Sequence, residues 1–344
     1  MEHQMVNNNT HIKNNITALV LQGGGALGAY EYGVVKALYE QKDFSPDVIC
    51  GVSIGAFSAA VIAGAKEGPV EGLTSLWELF TSSNMPFVPH TLQVLMTLPY
   101  NAGMYKPSLA GFLNPIGSTH FCDTKPLYDT LNTIIDFDKL NAPSAPHVVI
   151  SATNIATGLL EEFSNKTGGI RVEHIVASGS LPPSFPMTEI DGNHYWDGGL
   201  FSNTPLKPAF KCLETIGDND STKEVIMVEL FPQKGKVPKN MPDVFDRMIE
   251  MTFQSKISFD KKMYQRTSDY IDFINELNET LPKDSRLRDA PAFKQLMSYS
   301  KISKLTMIQH SDPENLLGAS DFTEKTINQR IAQGYRDTKE QLNV

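Results

Sequence analysis

Ser53 stands between two glycines in the stretch Gly51-Val52-Ser53-Ile54-Gly55. The apolar residues Val48 to Cys50 lead into it, and the mostly small residues Ala56 to Ala65 follow. A serine at a tight strand-to-helix turn has its Oγ exposed, with the N–H groups of a helix N-terminus aimed at any negative charge that develops nearby. Such a turn strains the serine backbone, and glycines two before and two after it remove the side chains that would clash. That is the chemistry of a nucleophile attacking an acyl carbon. The pattern alone also fits a tight turn with an incidental serine. The strand before it and the helix after it favour the nucleophile.

A second glycine turn, Gly23-Gly24-Gly25, ends the apolar run Ile16 to Gln22 and opens a helix. Its amides face whatever sits there. Gly23, Gly25 and Gly28 satisfy the G-x-G-x-x-G spacing of a dinucleotide site. That site needs an acidic residue ending a strand about 20 residues later. Asp43 and Asp47 lie near that distance, but both precede the next strand, which itself runs into the Ser53 turn. An oxyanion hole beside a nucleophile fits better than a pyrophosphate cradle.

Serine needs a proton acceptor. Asp197 precedes Gly198-Gly199 at the end of a strand-like run and can project into a cleft; an ordinary Asp-Gly turn explains the same residues. Of the histidines, only His310 follows Asp197 in the order Ser, acid, His. It lies among late elements. His194 adjoins Asp197 but reads as a strand residue facing away. Two arrangements stay open at this point: Asp197 acting directly on Ser53, or a triad completed by His310. Ala177 to Pro186, "ASGSLPPSFP", reads as a rigid loop without chemistry of its own.

The elements that must position these groups follow from the apolar pattern. Ile16–Gln22 and Asp47–Cys50 read as buried parallel strands, and Gly28–Gln41 and Ser53–Lys66 as the helices after them. Alternating strand, glycine turn and helix marks an α/β sheet. Leu73–Thr81 is helical. His147–Ile155 is a core strand with a hairpin partner at Leu159–Phe163, and Arg171–Ser178 is a short helix. Met187–Ile190 and His194–Trp196 flank the turn Asp191-Gly192-Asn193. Glu224–Phe231 and Lys304–Gln309 are later strands. Val244–Leu277 is amphipathic helix, readable as two pieces, and Asp321–Leu342 closes the chain. Residues 82–121 are rich in Pro, Met and aromatics without one period, as expected of short helices and loops forming a cap or lid over a site. They are a candidate acyl-chain site, with ordinary core packing as the competing reading. The clearest boundary candidate is Pro232 to Pro242.

Composition narrows the field. The 344 residues are 41% apolar and 20% charged, an ordinary globular mixture. A net charge of −9 argues against nucleic acid as a partner and against broad attraction to anionic lipid. Cys50, Cys122 and Cys212 have no metal-ligand spacing, and their odd number suits a reducing compartment. No metal and no cofactor is expected. The polar start, residues 1–15, reads as a flexible tail rather than a signal. No apolar run has the roughly 20 residues of a membrane span. The cytoplasm is the expected location, with peripheral membrane contact and signal-free secretion as alternatives; the oligomeric state, monomer or homodimer, is left open.

The blocks "GGGALG", "GVSIG", "ASGSLPPSFP" and "DGG", in this order, resemble those of the patatin-like phospholipases. The likeness covers about Ile16 to Pro208, and from about Glu224 onward the chain resembles the extra C-terminal domain of one bacterial branch. The resemblance implies a three-layer α/β/α fold with a mainly parallel central sheet and a largely helical C-terminal extension. It divides the chain into a tail (1–15), a catalytic domain (16–210) and an extension (211–344) that completes or packs on it. It implies metal-free hydrolysis of acyl esters of phospholipids or lysophospholipids. Ser53 would be the nucleophile and Asp197 the base. The block Gly23, Gly24, Gly25 would form the oxyanion hole, through the amides of Gly24 and Gly25. The family usually has Arg or Lys where this chain has Leu27. The backbone donors do not need that cation, but any head-group contact it would make is lost. A non-catalytic lipid-binding protein on the same fold is the alternative of a different class, disfavoured because both dyad positions are present.

Overall fold

A computed structural model describes residues 15–83, 85–114, 116–216, 221–231, 235, 237–297, 299, 301–310 and 318–342. The expected tail, up to residue 14, lies outside them, as does part of the boundary candidate at 232–242. Strand β1 (Asn15–Leu21) leads through the glycine turn to helix α1 (Gly28–Tyr39). Strand β2 (Val48–Val52) passes through Ser53 into α2 (Ile54–Gly64), followed by α3 (Pro69–Phe80). The next segment holds α4 (His90–Thr97), α5 (Leu109–Leu113) and a two-residue ribbon of β3 (Lys106–Pro107) and β4 (Cys122–Asp123). Then come α6 (Lys125–Ile134), α7 (Phe137–Leu140), β5 (His147–Asn154), β6 (Leu160–Ser164) and α8 (Val172–Ser178). The hairpin β7 (Thr188–Ile190) and β8 (Asn193–Asp197) precedes α9 (Leu206–Thr215) and β9 (Thr222–Glu229). The chain ends with α10 (Met241–Thr280), α11 (Pro291–Met297), β10 (Lys304–Gln309) and α12 (Glu324–Leu342).

Eight strands form one sheet in the order β10-β9-β1-β2-β5-β8-β7, with β6 also paired to β5. The run from β10 to β5 is parallel, and β6, β7 and β8 join antiparallel. Strand alternation divides the core in two. Leu19 and Leu21 point to the face covered by α1, α2, α3 and α12, while Ala18 and Val20 point to the face covered by α9 and by Tyr264 of α10. A strand apolar on both faces is what a central parallel position requires. The fold is therefore a three-layer α/β/α sandwich with a mainly parallel sheet.

Residues beyond 210 are woven into this sandwich. β9 pairs with β1 over its whole length, and β10 continues the sheet outward. α12 lies directly on α1, close enough that a Cβ on Gly33 would come within 2.0 Å of the Ile331 carbonyl. The amphipathic stretch expected as two pieces is one helix of 40 residues, α10. Asn240 caps it, Pro242 sits in its first turn where no N–H is needed, and no later proline or glycine interrupts it. Four helices escaped the sequence reading: the short α7 and α11, and the longer α6 and α9. The two longer ones carry a proline in the first turn, at Pro126 and Pro208, and there proline is tolerated rather than disruptive.

Candidate active site

The Ser53 turn is a strained elbow. Its φ of 54° and ψ of −126° put a non-glycine residue where glycine is favoured. Crowding explains the flanking glycines. A Cβ on Gly51 would lie 2.2 Å from the Gly55 carbonyl oxygen, and one on Gly55 would lie 2.4 Å from the Leu21 carbonyl oxygen. Ser178 supports the strained residue: the Ser53 N–H donates to Ser178 Oγ at 2.9 Å, and Ser178 Oγ donates to the Ser151 carbonyl at 2.7 Å.

Sheet register brings Asp197 to Ser53. Strand β5 has two edges, and β6 occupies one of them from Val149 to Thr153. Strands β2 and β8 must then share the other. β2 ends opposite Ser151, and β8 ends with Asp197 opposite Ala152, one position further on. β2 runs parallel to β5 and β8 antiparallel, so their C-terminal ends meet head to head along that edge. The residue leaving one tip is Ser53, and the residue ending the other is Asp197.

The contact between them is direct. Ser53 Oγ donates to Asp197 Oδ2 at 2.7 Å, and the Gly199 N–H donates to Asp197 Oδ1 at 2.7 Å. One carboxylate thus serves both the Asp-Gly turn and the hydrogen bond from Ser53, one oxygen for each. The Asp197 N–H is tied to the Ser180 carbonyl at 3.0 Å, and its carbonyl accepts from Thr153 Oγ1 at 3.0 Å. Asp197 is buried, and that burial pushes its carboxyl up from 3.8 to about 7, against the opposing pull of the Ser53 and Gly199 hydrogen bonds. A carboxylate with its titration raised that far is a stronger base than one in water.

The glycine turn lies against this pair. A Cβ on Gly23 would come within 2.9 Å of Ser53 Cβ. The amides of Gly24 and Gly25 have no acceptor among the described residues, and so remain available as donors. Gly23 differs: its N–H donates to the Asn203 carbonyl at 3.3 Å, and Asn203 Nδ2 donates to the Gly23 carbonyl at 2.8 Å. Gly23 is thereby tied to Asn203, and its closeness to Ser53 leaves no room for a side chain there. Gly25 has φ of +54°, and a Cβ there would lie 2.4 Å from the Ala319 carbonyl, so the C-terminal region backs the loop. Leu27, where the family has a cation, is buried in the apolar core with Leu230.

The remaining candidates fall elsewhere. His310 packs edge-on against the Tyr30 ring, and its backbone N–H donates to the Glu229 carbonyl. His194 is an exposed residue of β8. Neither is among the partners of the Ser53 hydroxyl or the Asp197 carboxylate. Ser178 and Asn203 escaped the sequence reading. The only signals were a hydroxyl residue ending a helix before a proline pair and an Asn six residues after the acid. Among the described residues, no group of three His, Cys, Asp or Glu side chains is placed to hold a metal ion, and no helix is long and apolar enough to cross a membrane.

Residues 19–210 match the family model described as patatin-like phospholipase, and residues 251–344 match a second described as patatin phospholipase. Lysophospholipase NTE1 of Saccharomyces cerevisiae is 25% identical over 197 residues, covering 55% of this chain and 10% of that protein. Lysophospholipase NTE1 of Cryptococcus neoformans var. neoformans is 28% identical over 199 residues, again 55% of this chain and 10% of that protein. The chain thus spans about a tenth of the length of these curated relatives. Among solved structures, VipD from Legionella pneumophila overlaps 96% of this chain and 67% of its own, at 14% identity and a TM-score of 0.41.

Proposed function

The chain belongs to the patatin-like phospholipase family, and from that premise we propose that it is a serine lipid acyl hydrolase of the phospholipase A or lysophospholipase type. The carrying observation is the 2.7 Å contact between Ser53 Oγ on a strained elbow and a buried Asp197 whose basicity is raised. Ser53 Oγ attacks the ester carbonyl carbon as its proton passes to Asp197 Oδ2. The carbonyl oxygen, now negative, is met by the amides of Gly24 and Gly25. The tetrahedral adduct collapses to an acyl-enzyme, and the departing alcohol oxygen takes the proton from Asp197. Water then attacks the acyl carbon, gives its proton to Asp197, and the fatty acid leaves as the proton returns to Ser53. The Gly199 amide holds the other carboxylate oxygen throughout, so the acceptor does not rotate away. Residues 211–344 complete the catalytic domain in this reading, since they provide two strands of its sheet and the wall behind Gly25.

The test is fatty-acid release from phosphatidylcholine, lysophosphatidylcholine, triglyceride and short-chain esters, with fluorophosphonate labelling alongside. Release from the phospholipid substrates, and labelling that disappears in Ser53→Ala, are expected. No release from any ester by a folded, unlabelled protein would leave a lipid-binding role instead. Activity destroyed by His310→Ala would replace the dyad with a triad.

A further inference from the structure

Residues 82–121 are only partly buried packing: Met104 and Tyr105 join the core, but many of the other apolar side chains do not. They contain one charged side chain, Lys106, in forty residues, although one residue in five is charged across the chain. An uncharged segment normally hides from water. Much of this one does not. Phe87 and Ile116 are fully exposed, and Leu109 and Leu113 are 74% and 75% exposed.

Helix α4 buries Val94 but leaves much of its other apolar surface in solvent. Its polar residues Gln93 and Thr97 are each 8% exposed, while its neighbours Leu95 and Met96 are 50% and 51% exposed. The buried amide has a purpose. Gln93 Nε2 donates to the carbonyls of Val88, at 2.7 Å, and Met85, at 3.1 Å, and its Oε1 accepts from the Met85 N–H at 3.3 Å. These bonds build the tight loop that carries Phe87. Phe87 itself has φ of 68°, strained for a bulky side chain. Strain and a buried amide both act to hold an aromatic ring out in solvent.

The segment is also attached to the site. The Phe121 and Cys122 amides donate to the carbonyls of Pro183 and Ser184, at 3.1 and 2.8 Å. Those residues continue the loop whose Ser178 and Ser180 hold Ser53 and Asp197. Immediately after the acid, Leu200 and Phe201 are exposed as well.

We infer that the exposed apolar residues of 85–114 and 116–121 form an interfacial docking surface that seats the enzyme on a zwitterionic phospholipid layer, with Phe87 and Ile116 entering the acyl region. The choice of occupant rests on the lipid-ester reading of the site. It also rests on the surface itself: it offers almost no charge for a protein partner to match, and a fluid acyl layer accepts scattered apolar side chains without complementary shape. The chain's net charge of −9 disfavours anionic lipid and leaves neutral head groups. On this inference the expected cap turns its exposed apolar residues outward to lipid.

The test uses the full chain carrying Ser53→Ala, so that vesicles are not consumed, and measures co-sedimentation with dioleoylphosphatidylcholine vesicles. Partition should change little, or fall, when phosphatidylserine is added. Adding Phe87→Asn and Ile116→Ser, both on exposed side chains and with Asn suited to positive φ, should weaken partition about tenfold each. On the active protein, the same pair should leave kcat/KM on a monodisperse short-chain ester unchanged while lowering turnover of vesicular phospholipid. Unaltered vesicle binding by the double variant would overturn the inference. So would no binding by the parent, or a solution dimer that the pair converts to monomer, which would assign the face to a second copy. Failure on every ester, with vesicle binding intact and sensitive to the pair, would refute the catalytic reading but not the docking surface.

Discussion

Asp197→Asn should make the protein inactive and more stable at once, in a pH-dependent way. Burial raises the Asp197 carboxyl from 3.8 to about 7. Between those values the unfolded chain has released this proton while the folded chain keeps it. The unfolded state then binds fewer protons, and stability falls as pH rises. Above about 7 both states are ionised, and the full cost of holding a buried carboxylate remains. About three pH units at roughly 1.4 kcal/mol each give about 4 kcal/mol. Asparagine has no such cost. Its Oδ1 can still accept from Gly199, and its Nδ2 can face the Ser53 hydroxyl in place of Oδ2. The variant's advantage should therefore grow from about 2 kcal/mol at pH 5 to about 4 kcal/mol at pH 8, or on the order of 5 °C at about 1–2 °C per kcal/mol for a chain of this length. Over the same range kcat/KM of the unaltered protein should rise about tenfold per unit up to pH 7 and then level, because only the ionised carboxylate accepts a proton. The variant should lose about 10²–10⁴-fold. Melting curves at pH 5 and pH 8, with initial rates on one soluble ester across pH 5–9, read both effects. A flat rate profile, or an Asn variant no more stable at pH 8 than at pH 5 relative to its parent, would refute the reasoning.

Ser53→Gly and Ser53→Ala should both abolish ester hydrolysis, and the glycine variant should melt higher by about 1 kcal/mol because it relieves the positive φ; equal melting would mean the elbow is not strained. Ser178→Ala removes the acceptor for the Ser53 N–H and should cost about 1–3 kcal/mol in chemical denaturation while lowering kcat more than it raises KM. Gly33→Ala drives a methyl into the Ile331 carbonyl and should destabilise the fold by about 1–3 kcal/mol or more, with unfolding remaining a single transition if α12 belongs to the catalytic domain. His310→Ala should keep most of the activity after its fold is checked by circular dichroism; a loss matching that of Asp197→Asn would show that a histidine takes the proton.

Local chemistry made much of this protein legible in its sequence. Apolar runs ending in glycines announced β1 and β2, the small residues after Ser53 announced α2, and Asp191-Gly192-Asn193 announced the β7–β8 hairpin, because strand periodicity, helix periodicity and turn conformation depend on neighbouring residues. Gly51 and Gly55 marked the elbow for the same reason. Proline misled where only its position within a helix matters, at Pro126 and Pro208. Which apolar residues of 82–121 face outward was also hidden: an apolar side chain reads alike whether it enters a core or leaves it, and the loop that exposes Phe87 depends on the bonds of buried Gln93 to Met85 and Val88. Ser53 and Asp197 lie 144 residues apart, and nothing in either motif fixes their distance. Register does: β2 and β8 take the same edge of β5 and meet tip to tip. The raised basicity of Asp197 likewise comes from burial, which no motif encodes. Ser178 and Asn203 gain their roles only because the sheet brings their loops to the elbow and the glycine turn. The candidate residues Ser53 and Asp197 are written in the sequence; their meeting is a long-range consequence of how eight strands share edges.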